Sequence, residues 1–198
     1  MLESFVSFLA ILNPFALCLY LAPVMTDLPR RDFFMVMVRA CLISGLVLLL
    51  FAVAGDYVLK DLMGIHPAAL RVFGGVIFFL VGYQYTMRGY RATEALRGSL
   101  DELPSAIALP FMIGAGTITQ ATLMGRRHSP QIAASLVVVG IAVCFVCVLL
   151  FTFLHERMQG PRERLFERYI NIMSRLNGLL IGTISTEMIA FGLKELWV

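Results

Sequence analysis

Between residues 131 and 154 the chain reads QIAASLVVVGIAVCFVCVLLFTFL, without a single charged side chain. A helix needs about 20 predominantly apolar residues to cross the hydrocarbon core of a bilayer, so this stretch is long enough to span it. Similar apolar runs fill most of the 198 residues, of which 59% are hydrophobic and only 15% are charged. Soluble domains are about 25% charged. The sequence therefore predicts an integral membrane protein.

Six apolar runs are long enough to cross the bilayer, and none has the alternating pattern of a membrane β-barrel. The predicted transmembrane helices cover residues 5–25, 33–53, 70–87, 105–124, 131–154 and 170–193. The connections between them are too short for a folded domain outside the bilayer. We therefore expect residues 1–198 to form one all-α membrane domain with the lipid bilayer as its surroundings.

Basic residues collect in the first, third and fifth connections between the predicted helices. These residues are Arg30, Arg31, Arg88, Arg91, Arg97, Arg157, Arg162, Arg164 and Arg168. The opposite side holds fewer, such as Lys60, Arg126, Arg127 and Lys194. Because basic loops stay on the cytoplasmic side, this distribution predicts that both termini lie outside.

Two parts of the chain match each other at nearly constant spacing. The matched stretches are Leu12-Asn13-Pro14-Phe15 and Arg30-Arg31 against Ala108-Leu109-Pro110-Phe111 and Arg126-Arg127, and Arg71-Val-Phe-Gly74 against Arg175-Leu-Asn-Gly178. Chance recurrence in an apolar sequence is one explanation, but the equivalent positions favour a duplication, with repeats at about 1–95 and 96–198. Three helices are an odd number, so the second repeat would be inverted in the membrane, as in many transporters.

Helix-breaking residues stand at equivalent places in the two predicted repeats. Asn13 and Pro14 lie near the middle of the first helix, and Pro110 lies in the fourth, ahead of the run GAGTIT at residues 114–119. Proline removes a backbone hydrogen bond and interrupts a helix. We therefore predict discontinuous helices 1 and 4, although membrane helices also use proline and small residues only for packing.

Paired breaks in inverted repeats indicate a binding site at the bilayer midplane. The free N–H groups of a half-helix that begins near Gly114 would attract an anionic group such as a carboxylate. The break at Asn13 would offer an amide and carbonyls to an ammonium or hydroxyl group. The predicted substrate-binding residues are Asn13, Pro14, Gly114, Gly116, Thr117, Ile118 and Thr119.

Four further polar residues inside the predicted helices are candidates for ion coupling or polar support. A charge at the bilayer centre costs about 2.5–3.5 kcal/mol on insertion scales, so it pairs, snorkels or lines a polar path. Glu187 could take up a proton during transport, pair with an arginine, or lie at the outer interface. Snorkelling is the alternative for Arg71 and Arg175, and an interhelical hydrogen bond is the alternative for Gln84.

The sequence has no recognisable catalytic or metal-binding pattern, such as HExxH, Gly-x-Ser-x-Gly or paired membrane aspartates. His66, His128 and His155 are far apart, and Cys144 and Cys147 lie in the middle of an apolar helix. We therefore expect the cysteines to pack as small apolar residues. We expect no enzyme activity, no metal, no cofactor and no nucleic-acid partner.

Four motifs together resemble the MarC family over nearly the whole chain. They are Asn13-Pro14-Phe15, RVFGGV from Arg71, PFMIGAGTIT from Pro110 and RLNGLL from Arg175. The resemblance implies a multi-pass protein of the cell inner membrane, with termini on the periplasmic side if the charge rule holds. The family includes SnatA-type exporters of small neutral amino acids, whose discontinuous first and fourth helices surround the substrate.

The chain departs from the family pattern at three positions near the predicted breaks. Ala16 and Leu19 stand where the family usually has Gly and Pro, and Ala115 interrupts its usual Gly-Pro-Gly. These changes affect how far each helix can unwind. We predict an exporter of a small neutral solute, an amino acid in particular, working by alternating access and compatible with a homo-oligomer. A membrane scaffold without transport activity is the alternative.

Overall fold

The computed structural model describes residues 1–89, 103–157 and 163–197, and every regular element in these ranges is helical. The helices are α1 (Leu2–Leu12), α2 (Pro14–Asp27), α3 (Arg30–Asp56), α4 (Pro67–Arg88), α5 (Leu103–Ile107), α6 (Ala115–Arg127), α7 (Pro130–Arg157) and α8 (Glu163–Leu196). A short π-helical segment, Tyr57–Leu62, follows α3, and a kinked segment, Ala108–Met112, follows α5. The prediction of an all-α membrane protein is confirmed.

Five stretches of the described chain are long and apolar enough to cross a membrane. They are Leu2–Leu19, Arg30–Leu62, Pro67–Arg88, Pro130–Leu154 and Arg168–Leu196, and they correspond to five of the six predicted helices. The predicted fourth helix, residues 105–124, falls on α5, the kinked segment after it and α6, which are separate short elements. The count of six membrane crossings therefore stays a prediction.

The outer surface of the long helices is apolar. Leu42, Leu46, Leu50 and Val53 of α3 follow one another at helical spacing, and all four side chains are exposed. α7 exposes Val139, Val146, Leu150 and Phe153 in the same way. Soluble proteins rarely expose contiguous apolar surfaces of this extent, whereas lipid tails contact them without cost.

α4 and α8 pack against each other in antiparallel directions along a series of glycines. A Cβ atom at Gly82 would lie 2.7 Å from the backbone nitrogen of Gly182, and one at Gly75 would lie 2.9 Å from the carbonyl oxygen of Ser185. One at Gly192 would lie 2.7 Å from Cγ2 of Val72. Small residues allow such close backbone approach, which supplies the dispersion contacts that hold membrane helices together.

The main apolar core lies among the other helices, with Phe8 of α1, Leu17 of α2, Met37 of α3, Met124 of α6 and Val148 of α7 all buried in one cluster. α3 contacts both α5 and α6, while α7 contacts both α1 and α2. The α4–α8 pair joins this core through α6 and α2.

Polar contacts tie several chain segments together at one end of the helices. Oγ of Ser4 lies 3.0 Å from Nε2 of His128, and Nε of Arg126 lies 2.8 Å from a carboxylate oxygen of Asp56. The N-terminus, the α3–α4 connection and the α6–α7 connection therefore share this end. Which end faces outward stays a prediction, and Arg91, Arg97 and Arg162, on which it partly rests, lie outside the described residues.

Candidate functional site

The first helix break occurs at Asn13, where α1 ends and α2 begins. Asn13 has φ 45° and ψ 72°, a left-handed conformation that asparagine tolerates better than most residues. Its N–H donates to the carbonyl oxygen of Leu9 at 2.8 Å, and its own carbonyl oxygen accepts from the N–H of Leu17 at 3.1 Å. Pro14 starts α2, because its fixed φ suits the first helical position and its missing N–H is not needed there.

The side chain of Asn13 joins this break to α8. Its Oδ1 accepts a hydrogen bond from the N–H of Ala16 at 3.0 Å, which caps α2. Its Nδ2 donates to Oδ1 of Asn177 at 3.1 Å. Because Oδ1 of Asn13 is fixed as an acceptor by a backbone N–H, the facing atom of Asn177 has to be its carbonyl oxygen.

Asn177 is a residue of the site that our sequence predictions missed. It is only 3% exposed, and its Nδ2 has no hydrogen-bond partner among the described residues. A buried hydrogen-bond donor without a partner costs about 1–3 kcal/mol of folding free energy. The sequence contained one indication of Asn177, which lies inside the matched stretch that begins at Arg175. No sequence pattern linked Asn177 to Asn13.

The second break lies between α5 and α6 and includes the kinked segment Ala108–Met112. Leu109 has extended backbone angles, φ −114° and ψ 125°, as expected for a residue that precedes proline. Ile113 also leaves the helical conformation, and Gly114 is extended with φ −108° and ψ 164°. α6 then begins at Ala115. The backbone is thus interrupted on both sides of Pro110.

Two of the predicted binding residues, Thr117 and Thr119, use their hydroxyls within the second break. Oγ1 of Thr117 accepts from the N–H of Gly114 at 2.9 Å and lies 2.9 Å from the carbonyl oxygens of both Met112 and Gly114. Oγ1 of Thr119 donates to the carbonyl oxygen of Ala115 at 2.7 Å. Both hydroxyls therefore support the backbone, and their contact with a solute stays a prediction.

Gly116 brings the start of α6 against three other helices. A Cβ atom there would lie 3.0 Å from Cγ2 of Ile11, 3.0 Å from Cε of Met188 and 3.3 Å from Cε2 of Phe78. Phe78 also packs against the buried cluster to which Ala16, in the first turn of α2, belongs. We call Ile11, Phe78 and Met188 the apolar layer. This layer makes the two breaks neighbours, while the predicted site residue Ile118 packs away against the main core.

The three departures from the family pattern all contact α4 or α8. The methyl group of Ala115 occupies the space that a side chain at Gly74 would need. Ala16 is buried beside Tyr85 and Ile181, and Leu19 is buried beside Ile170. Their side chains therefore fill helix contacts, and α4 accommodates Ala115 by having glycine opposite it.

The four predicted coupling or support residues have exposed or peripheral positions. Glu187, Gln84 and Arg175 lie on exposed faces, and Nη1 of Arg175 donates to the carbonyl oxygen of Thr86 at 3.3 Å. Arg71 forms an ion pair with Glu195 at 3.0 Å. The contacts at the two breaks are buried or half-buried, and the structure does not bring these four residues to them. Their roles stay predictions. Within the described ranges, no cluster of three or more metal-binding side chains occurs.

Known proteins resemble this chain over almost its full length. A UPF0056 membrane protein of Aquifex aeolicus is 26% identical over 98% of this chain and 92% of its own. One of Pyrococcus horikoshii is 29% identical over 96% and 92%, and the inner membrane protein YhgN of Escherichia coli is 26% identical over 82% and 80%. No solved structure matches the chain significantly.

The family comparison agrees with these relatives and with the helical membrane fold. The model of the MarC family integral membrane proteins matches residues 1–197. Because this match leaves out a single residue of the sequence, it includes both helix breaks and the α4–α8 pair. The chain therefore belongs to the MarC family of multi-pass integral membrane proteins.

Proposed function

We propose that the protein exports a small neutral solute, an amino acid in particular, across the cell inner membrane. In this proposal the solute binds at the midplane between the two helix breaks, and alternating access exposes it to each side in turn. One observation carries the proposal: the capped break at Asn13 is hydrogen-bonded to the buried and incompletely paired Asn177, and Ile11, just before this break, lies against Gly116, just after the second break at Gly114. Interrupted helices at membrane depth are tolerated where they line a cavity or are buried in protein.

The arrangement of helix contacts supports an inverted repeat of three plus three helices. If α1–α4 correspond to α5–α8, then α3 and α7 are equivalent. α3 contacts α5 and α6, and α7 contacts the corresponding α1 and α2. α4 and α8 contact each other, as two equivalent helices beside a pseudo-two-fold axis would.

The surroundings of the breaks favour a solute without net charge. The side-chain hydrogen-bond partner of Asn13 is the amide of Asn177, and the atoms nearest to a Cβ at Gly116 belong to the apolar side chains of Ile11, Phe78 and Met188. An ion with net charge would need an opposite charge in this low-dielectric region. A zwitterion or a neutral polar molecule can instead be matched by amides and helix ends.

The inner-membrane location and the orientation are parts of the same proposal. The Escherichia coli relative is called an inner membrane protein. Ser4, Asp56 and His128 share one end of the helices, which is the end with fewer basic residues. By the positive-inside rule this end, and with it the N-terminus, lies on the periplasmic side.

Efflux from proteoliposomes tests the proposal. Vesicles with the purified protein are preloaded with radiolabelled glycine, alanine, serine or threonine, and the rate of loss is compared with that of protein-free vesicles. Asn13→Gly removes the side-chain amide, and glycine tolerates the left-handed backbone at this position. Gly116→Leu adds a side chain where α6 faces the apolar layer. Thr183→Ala serves as the control, because Thr183 is exposed and bonds only the carbonyl oxygen of Leu179 in its own helix.

We expect faster loss of at least one amino acid with the intact protein and with Thr183→Ala, and loss at the protein-free rate with the other two variants. If monodisperse intact protein moves none of the four solutes, amino-acid export is wrong. The scaffold function then becomes the better explanation.

A further inference from the structure

Two buried polar atoms of α8 have no partner among the described residues, and both lie beside the first helix break. They are Nδ2 of Asn177 and Oγ of Ser174, in side chains that are 3% and 0% exposed. Serine within a helix usually donates to a carbonyl oxygen three or four residues earlier. Ser185 of the same helix does so, with a bond of 2.7 Å to Gly182, so the unpaired Ser174 is a departure within α8 itself.

The packing of α2 on α8 shows where Ser174 and Asn177 lie. Ile170, Ser174, Asn177 and Ile181 are all buried, and their spacing puts them on one face of α8. Ile181 belongs to one buried cluster with Ala16 and Tyr85, and Ile170 packs with Leu19, so the first turns of α2 lie along this face. Ser174 and Asn177 stand between the two apolar contacts, and Asn177 bonds Asn13.

The groups available at this position are hydrogen-bond donors. Asn177 offers the hydrogens of Nδ2, and Ser174 offers its hydroxyl hydrogen. α2 begins here with the positive end of its helix dipole. The N–H of Ala16 is already used by the Asn13 cap, but the N–H of Phe15 belongs to the first turn, which has no acceptor within the helix. Donors of this kind at a helix N-terminus suit a carboxylate.

The start of α6 is less suitable for an anion. The N–H of Gly114 is bonded to Thr117, and Gly116 is covered by Ile11, Phe78 and Met188. Desolvation under an apolar layer makes a carboxylate costly unless donors point at it. The first turn of α6 also has N–H groups without an acceptor within the helix. The two unpaired side-chain donors of α8, Asn177 and Ser174, are what favour the first break as the place for a negative group.

We propose that Asn177 and Ser174, together with the first turn of α2, form the subsite that binds the carboxylate of the transported solute. This inference rests on the proposed export of amino acids. It reverses the polarity expected from the sequence, which assigned the carboxylate to Gly114 and the ammonium or hydroxyl group to Asn13. The positive end of the solute then faces the second break.

A competition experiment separates this subsite from a purely structural role. The purified protein binds the best-transported radiolabelled amino acid, and unlabelled amino acid or the matching amino alcohol, which lacks the carboxylate, competes for the site. We expect the amino acid to compete about tenfold or more better than the amino alcohol, because hydrogen bonds to charged groups are the stronger ones. Ser174→Ala and Asn177→Leu should each reduce this preference at least about threefold, since each removes one donor.

Ser185→Ala is the matched control, because Ser185 is equally buried on α8 but bonds its own backbone. It should keep the full preference for the amino acid. The subsite is wrong if Ser174→Ala and Asn177→Leu keep the preference for the amino acid over the amino alcohol, whatever their affinity for the amino acid itself. Oγ of Ser174 and Nδ2 of Asn177 would then serve only packing or bind only water. If Asn177→Leu does not fold, Ser174→Ala decides the question. Failure of the intact protein to transport any amino acid would instead refute the proposed function.

Discussion

The side chains of Asn13 and Asn177 are 164 positions apart in the chain and share a hydrogen bond of 3.1 Å. The bond joins the point where α1 gives way to α2 with the buried face of α8. Any movement of α2 relative to α8 therefore has to break or shift it. In a transporter that works by alternating access, such a bond would hold one state until the solute offers the amides another partner.

Asn13 should tolerate glycine better than alanine. Its φ of 45° costs a residue with a Cβ atom roughly 1–2 kcal/mol, whereas glycine adopts it freely. Both substitutions remove the cap on Ala16 and the bond to Asn177, so the difference between them reports on the backbone alone. We expect Asn13→Ala to unfold at a lower temperature than Asn13→Gly in detergent. Equal melting temperatures would show that the left-handed conformation has no energetic importance.

Phe78 should limit the size of the transported solute. Near Gly116, Cε of Met188 is the far end of a flexible side chain and can yield, whereas Cγ2 of Ile11 and the ring of Phe78 are stiffer. We expect Phe78→Ala to raise the efflux of threonine relative to glycine, and Gly116→Ala to lower it. Efflux of both solutes from the same vesicles measures the ratio. A ratio unchanged in both variants would place the solute elsewhere.

The contact between α4 and α8 should not accept a side chain at Gly82. A Cβ atom there would meet backbone, at 2.7 Å from the nitrogen of Gly182 and 2.8 Å from the carbonyl oxygen of Gly178, and backbone cannot move aside. Gly45 is the matched control, because its nearest contact would be Cδ1 of Ile141 at an ordinary 3.6 Å. Thermal unfolding in detergent should show Gly82→Ala destabilised by roughly 1–3 kcal/mol. Gly45→Ala should be neutral or slightly stabilised, since alanine favours helices.

Cysteine labelling tests the predicted orientation. The four native cysteines are first replaced, and single cysteines are then introduced at Lys60 and Trp197. Both should react with a membrane-impermeant maleimide that reaches the intact inner membrane from outside. A cysteine at Arg31 should react only after the membrane is opened. All three side chains are exposed, so differences in reaction report on sidedness. The reverse labelling pattern would show that both termini lie inside.

Glu187 is the remaining candidate for proton coupling, although its side chain lies on an exposed face of α8. If it carries the proton, Glu187→Gln should abolish the response of efflux to an imposed pH gradient and leave solute binding intact. Glu195→Gln is the control, because Glu195 is also exposed on α8 but forms an ion pair with Arg71. A gradient response that survives in Glu187→Gln would rule out this coupling role.

Much of the fold was predictable because it depends on local properties of the chain. Apolar runs such as residues 131–154 determine which segments enter the bilayer. The break at Asn13 is also local: the following proline supplies no N–H, and asparagine accepts the left-handed conformation. Leu109 is extended for a similar reason, because it precedes a proline. The prediction of a discontinuous fourth helix rested on Pro110 and the GAGTIT run, and the interruption lies beside these residues.

The candidate site was predictable only in part, since its chemistry depends on which face of each helix turns inward. Thr117 was expected to bind solute from its position in the GAGTIT run, but the fold turns its hydroxyl onto the backbone of the break. The departure at Ala115 could not be judged from the sequence, because its effect depends on Gly74 in another helix.

The sequence by itself determined that this is a helical membrane protein and that its first helix is interrupted at Asn13, since both follow from interactions within a few residues. Only the tertiary structure decided that Asn177 and Ser174 are buried beside that break while Glu187, on the same helix, is exposed. The reason is geometric: the rotation of α8 is set by its close packing on the glycines of α4, a contact between residues about a hundred positions apart.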